Sequence, residues 1–160
     1  MEMKLSKLTP LIFLISVSLI GTACNKFVIE GVNYSQEVES VLEPDENGNV
    51  EDVRHDLTFN INPLLKEEFG EGEQLNIEEI RLIRNAEGFY FITAKNFRHV
   101  YVMKPGHSNL KLENKIRVSD DRLISPAFNY RDGIVQLVNT GTNDVYALRV
   151  DGIEELNQEG

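Results

Sequence analysis

The chain has 160 residues, 26 of them acidic and 16 basic, for a net charge of −10. That balance excludes nucleic acid as a default partner, because gripping phosphates takes an excess of Lys and Arg. It also excludes electrostatic attachment to an anionic membrane, while the length suits one domain with a genuine core.

The chain opens with a basic stretch holding Lys4 and Lys7. Residues 11–20, LIFLISVSLI, are then an apolar run that exits through Gly21, Thr22, Ala23 and Cys24. A basic start, about ten apolar residues and a small-residue exit form the layout of a secretory signal. A membrane-spanning helix needs roughly 20 apolar residues, and Ser16 and Ser18 thin this run further. The stretch resembles the signal of bacterial lipoproteins, whose lipobox ends in a small residue followed by a cysteine. The resemblance implies cleavage between Ala23 and Cys24, a diacylglyceryl thioether on Cys24 and acylation of the new amine. Gly21 departs from the Leu-like residue that the family prefers, and cleavage near Ala23 by the ordinary signal peptidase is the alternative. The cysteine count favours the lipid. Exported proteins hold their cysteines in even numbers as disulfides, and Cys24 stands alone. Each buried methylene contributes about 0.8 kcal/mol, so a cysteine with several acyl chains anchors stably. Asn25 is not the aspartate that retains many lipoproteins at the inner membrane, so the resemblance implies the outer membrane.

Residues 1–23 are therefore expected to be a signal peptide, residues 24–36 a lipidated N-terminus and tether, and residues 37–160 a single mainly β domain. Without the signal the net charge is −11, and it is unevenly spread: −12 over residues 24–80 and +1 over residues 81–160. The tether has one strand-like run at residues 27–32. Next, EVESVLEP and VEDVRHDLTFNI flank PDENGN, which predicts a hairpin around an Asn-Gly turn. Asn62-Pro63-Leu64-Leu65-Lys66-Glu67-Glu68-Phe69-Gly70 predicts a short helix capped by Asn62, opened by Pro63 and stopped by Gly70. GEGEQ, residues 70–74, predicts a loop.

Seven runs of strand length follow: IEEIRLIRN, FYFITAK, HVYVMKP, LKLENKIRV, LISPAFNY, IVQLVN and DVYALRV. They are rich in β-branched and aromatic residues and separated by Gly, Asn, Asp or Pro, which predicts an antiparallel meander or sandwich. At an offset of 45 residues, EGFYFITAKNFRHVYVMK overlays DGIVQLVNTGTNDVYALR, with Gly88 on Gly133, Val100 on Val145 and Tyr101 on Tyr146. The repeat units span about residues 78–106 and 123–152. This period resembles that of β-propeller blades. A ring of at least four blades needs about 160 to 180 residues at that period, more than the signal leaves. The expectation is two blade-like sheets packed with the N-terminal hairpin, or a sandwich of the same strands.

Chemistry-bearing patterns are sparse. His55, His99 and His107 lack zinc spacing. DENGNVEDVRHD places Asp45, Asn47, Asn49 and Glu51 at alternate positions as in a calcium loop, yet Val50 takes the glycine position, and a polar turn is the better reading. Nucleophile elbows and phosphate loops are absent from the sequence. Glu67, Glu68, Glu78 and Glu79 supply paired acids of the glycosidase kind, as any chain this acidic would. No catalytic, metal or cofactor site is expected. Tyr90, Arg98, Tyr101 and Tyr146 are the candidate partner-binding residues, since aromatics beside Arg on a half-exposed sheet suit protein or glycan contacts. The expected function is a non-catalytic binding or assembly module at the cell envelope, held to the membrane by the lipid on Cys24 and partnered by another envelope protein. The alternative is a glycan-binding module or a small glycan-acting enzyme.

Overall fold

The computed structural model describes residues 37–71, 77–107 and 109–154, all within the unit Tyr34–Gly160. The signal, Cys24, the tether with its strand-like run and residues 72–76 of the acidic loop lie outside the described residues.

In chain order the strands are β1 (Ser40–Leu42), β2 (Asn49–Asp52) and β3 (Leu57–Asn60), followed by helix α1 (Asn62–Phe69). Then come β4 (Ile80–Arg84), β5 (Tyr90–Ala94), β6 (His99–Pro105), β7 (Leu110–Arg117), β8 (Pro126–Arg131), β9 (Ile134–Asn139), β10 (Asp144–Arg149) and β11 (Gly152–Glu154). Every pairing is antiparallel, so the architecture is the mainly β one, with one short helix, that the runs imply. The first sheet has the order β1-β4-β5-β6-β7, the second β11-β10-β9-β8, and β2 pairs only with β3. All seven sequence runs after residue 76 contain a strand.

The N-terminal hairpin differs from expectation. Residues 45–48 do turn, with the Gly48 N–H donating to the Asp45 carbonyl (2.9 Å). The strands on either side part company, however: β1 joins β4, while β2 folds onto β3 within VEDVRHDLTFNI itself. Asp52 breaks that run by accepting the Arg54 N–H (3.0 Å), and Asp56 reverses the chain at φ 49°. Helix α1 matches its sequence signals except at the cap. Ile61 occupies the N-cap without a side-chain bond, and Asn62 is already helical.

The core lies on both faces of the first sheet. All five residues of β5 are buried, the mark of a strand covered on two sides. One face bears Tyr90, Ile92 and Tyr101 and meets the N-terminal layer. The His55 ring stands edge-on to Tyr90 with centroids 5.6 Å apart, and Phe69 of α1 packs edge-on to Phe97 at the same distance. The other face, with Phe91 paired to Val102, meets the second sheet, where Val135, Leu137 and Leu148 are buried on one side only. Burying each such side chain contributes about 1.5 to 3 kcal/mol. The acidic first half thus folds back over the more basic strands, and Glu67 of α1 pairs with Lys115 of β7 (2.9 Å).

The repeat is real at the level of register. Tyr90↔Met103, Phe91↔Val102 and Ile92↔Tyr101 in the first sheet become Val135↔Leu148, Gln136↔Ala147 and Leu137↔Tyr146 in the second. Each of these pairs keeps the 45-residue offset. Gly88 and Gly133 take equivalent positive φ values of 91° and 81° before the second strand of each unit. The unit is completed by β11, which the sequence reading missed.

Candidate functional site

Helix α1 brings one carboxylate into the interior. Leu64 is buried on the helix face that meets the sheet. Glu68, one turn later, follows it inward, because residues four apart share a face. Its side chain is 2% exposed. A buried carboxylate costs several kcal/mol unless hydrogen bonds compensate, and here three donors converge on it. The Arg98 backbone N–H donates to Oε1 (2.6 Å), the Tyr101 hydroxyl to Oε2 (2.7 Å), and His99 Nδ1 lies 2.9 Å from Oε2. Strand β6 supplies His99 and Tyr101 from alternate positions, and the residue before it supplies the amide. Burial, followed by the hydrogen bond and charge of Glu68, pushes the Tyr101 hydroxyl far above the ordinary tyrosine range. Tyr101 is therefore a fixed donor.

A second histidine–carboxylate pair lies in the β2–β3 turn. His55 Nδ1 is 2.7 Å from Asp52 Oδ2, with both side chains under a tenth exposed. The Tyr90 hydroxyl beside it is also raised, mainly by burial, with Arg84 opposing and Asp52 reinforcing the shift. Arg84 lies over the Tyr90 ring at 5.8 Å.

These positions revise the partner-binding candidates. Tyr90 and Tyr101 are buried, so they do not form the outward aromatic surface expected of them. The N-terminal layer covers the face they occupy. Arg98 meets Tyr101 at Glu68 through its backbone, and its Nε donates to the Asp120 carbonyl (3.0 Å). Tyr146 is half-buried in the second sheet, with its hydroxyl raised by burial and by Asp144 and lowered by a bond to Ser119. The sequence sets Glu68 among several paired acids and gives His55 and His99 no zinc spacing, so neither constellation stands out there. The signal for Glu68 was its spacing from Leu64.

A histidine oriented by a carboxylate is the supporting half of a nucleophilic triad. Here the third group, Tyr101, donates a hydrogen bond to the same carboxylate, so three contacts fasten Glu68 between α1 and the start of β6. The calcium-like loop is likewise occupied by its own chain. Asp45 Oδ1 accepts the backbone N–H groups of Asn47 (2.9 Å) and Asn49 (2.7 Å), and Oδ2 accepts Asn49 Nδ2 (3.0 Å). Among the described residues no group of three or more His, Cys, Asp or Glu is placed to hold a metal ion. No helix among them is long and apolar enough to cross a membrane.

No protein-family model matches the chain, and no curated protein or solved structure is significantly similar to it.

Proposed function

We propose that this is a lipid-anchored protein of the cell envelope, preferentially of the outer membrane, whose β domain binds or assembles with another envelope protein without catalysis. The anchor is argued from the lipobox-like end of the signal and from Cys24 as the only cysteine. The observation that supports the non-catalytic reading is the engagement of Glu68 by the Arg98 amide, the Tyr101 hydroxyl and His99. Glu68 holds α1 to strand β6 through His99 and Tyr101, and His55 pairs with Asp52 inside the β2–β3 turn. Acid–base chemistry needs a group free to exchange a proton with a substrate, and the carboxylates of Glu68 and Asp52 and the Nδ1 atoms of His99 and His55 are instead hydrogen-bonded within the fold.

Fractionation of Cys24→Ser against the native sequence tests the anchor. The expected result is loss of membrane retention in the variant, and an N-terminal mass showing acylated Cys24 in the native protein. An unmodified N-terminus beginning after Cys24 overturns it. Cross-linking in intact envelopes, followed by purification in detergent, tests the partner. A reproducible envelope protein cross-linked through the β domain is the expected outcome, and turnover of a glycan by the purified protein would overturn the non-catalytic reading.

A further inference from the structure

We propose that Asn47 is the chain's site of spontaneous deamidation, restrained in the folded protein by a clamp of two further asparagines. Asn47-Gly48 is the only Asn-Gly pair in the sequence. Glycine leaves its own amide unshielded, so the Gly48 nitrogen can approach the Asn47 side-chain carbonyl carbon. The turn also fixes the glycine in place. Gly48 adopts φ 80°, and a Cβ there would run into the Asn62 side chain, 2.9 Å from its Cγ. The reactive pair therefore cannot be relieved at the glycine without straining the turn.

The reaction needs only water. The Gly48 nitrogen loses its proton and bonds to Asn47 Cγ, the Cγ–Nδ2 bond breaks, and ammonia leaves with the protons that balance it. Water then opens the resulting five-membered imide at either carbonyl, giving aspartate or isoaspartate. In the folded turn the backbone on both sides of the reacting bond is held. The Gly48 N–H donates to the Asp45 carbonyl (2.9 Å), and the Gly48 carbonyl accepts the Ile61 N–H (2.8 Å). The Asn47 carbonyl accepts both Asn60 Nδ2 and Asn62 Nδ2, each at 3.0 Å, and the Asn47 N–H is bound to Asp45 Oδ1. Asn47 itself is exposed, open to the water the reaction uses. Ring closure then requires local opening of the turn, and its rate is set by the open fraction. Conversion to isoaspartate inserts a carbon into the backbone at the clamped carbonyl and adds a negative charge beside Asp45 and Glu46. The clamp cannot re-form around that product.

The test is incubation of the folded full chain at mildly alkaline pH, with peptide mass mapping and isoaspartate assay over time. Asn47 is expected to convert before any other asparagine. Asn62→Ala is expected to accelerate it about fivefold, the factor for one net amide hydrogen bond, and Asn60→Ala added to it by a further factor of about five. If the double variant does not fold, Asn62→Ala with a native near-UV spectrum decides the matter alone. Earlier conversion of another asparagine in the folded chain overturns the proposal. So does an unchanged Asn47 rate in Asn62→Ala.

Discussion

Glu68 shows how a single side chain can settle what a surface becomes. Removing it in Glu68→Ala leaves the Tyr101 hydroxyl, the Arg98 amide and His99 without their acceptor, and a loss of about 3 to 5 kcal/mol is expected in urea unfolding. Tyr101→Phe deletes one donor to that carboxylate and is expected to cost about 2 kcal/mol at neutral pH. The two variants also differ in their response to alkali. Tyr101 and Tyr90 both have hydroxyls raised in the folded state. A raised group contributes stability that is fully present below its unfolded value, about 10 for tyrosine, and lost as pH climbs past it. Stability is therefore expected to fall above pH about 10, and Tyr101→Phe should make that decline shallower. An equally steep decline in the variant would assign the alkaline sensitivity elsewhere. Sequence reading could not have placed Glu68 inside, because a Glu-Glu pair in an acidic chain resembles any solvated helix face; only Leu64 four residues earlier betrays the direction.

The strands were the most legible elements, since each depends on a local run of β-branched and aromatic residues between turn formers. Strand β11 escaped because it holds three residues of a stretch that ends in acids. The β1–β2 hairpin failed for a different reason. An Asn-Gly turn specifies a reversal, whereas pairing is decided by which neighbour completes a core, and β1 gains β4 by leaving β2. Its arrival is secured by Glu39, whose Oε1 accepts the Phe128 N–H (2.6 Å) while Oε2 lies 3.4 Å from Arg81 Nη1. Phe128 sits on β8, the outer strand of the second sheet, so a side chain occupies a position another strand would take. Glu39→Ala is expected to lower stability by about 2 kcal/mol and to raise hydrogen exchange at the Phe128 amide above that of β9. Unchanged protection at Phe128 would count against this coupling. The opposite edge is guarded by other means. On β7, Glu113 is the extra residue of a bulge between the Val102↔Asn114 and Met103↔Leu112 pairs, flanked by Lys111, Lys115 and Arg117, features that discourage pairing with another chain.

At the scale of the molecule, the two repeats are alike in register and unlike in what they bury. The face of the first sheet that meets the second carries Phe91, Val100 and Val102; the matching face of the second carries Gln136, Val145 and Ala147. Repeat arrays need end units whose outer surface differs from the stacking face, and Gln136 and Ala147 replace Phe91 and Val102 at the end of the second sheet, while the hairpin and α1 close the other end. Gln136→Phe with Ala147→Val would restore the first repeat's pattern, and concentration-dependent association by sedimentation is the expected result. A variant that stays monomeric would mean the register, and not these side chains, limits stacking. The Glu39 node has a mechanical side as well. Beyond its own carboxylate bonds, the carbonyls of Val38 and Glu39 accept Arg54 Nη1 at 3.0 and 3.3 Å. A pull along the chain from the side of Cys24 would therefore load all three layers together, through Arg54 in the hairpin, Arg81 in the first sheet and the Phe128 amide in the second. Force applied there would be shared before any single strand began to peel.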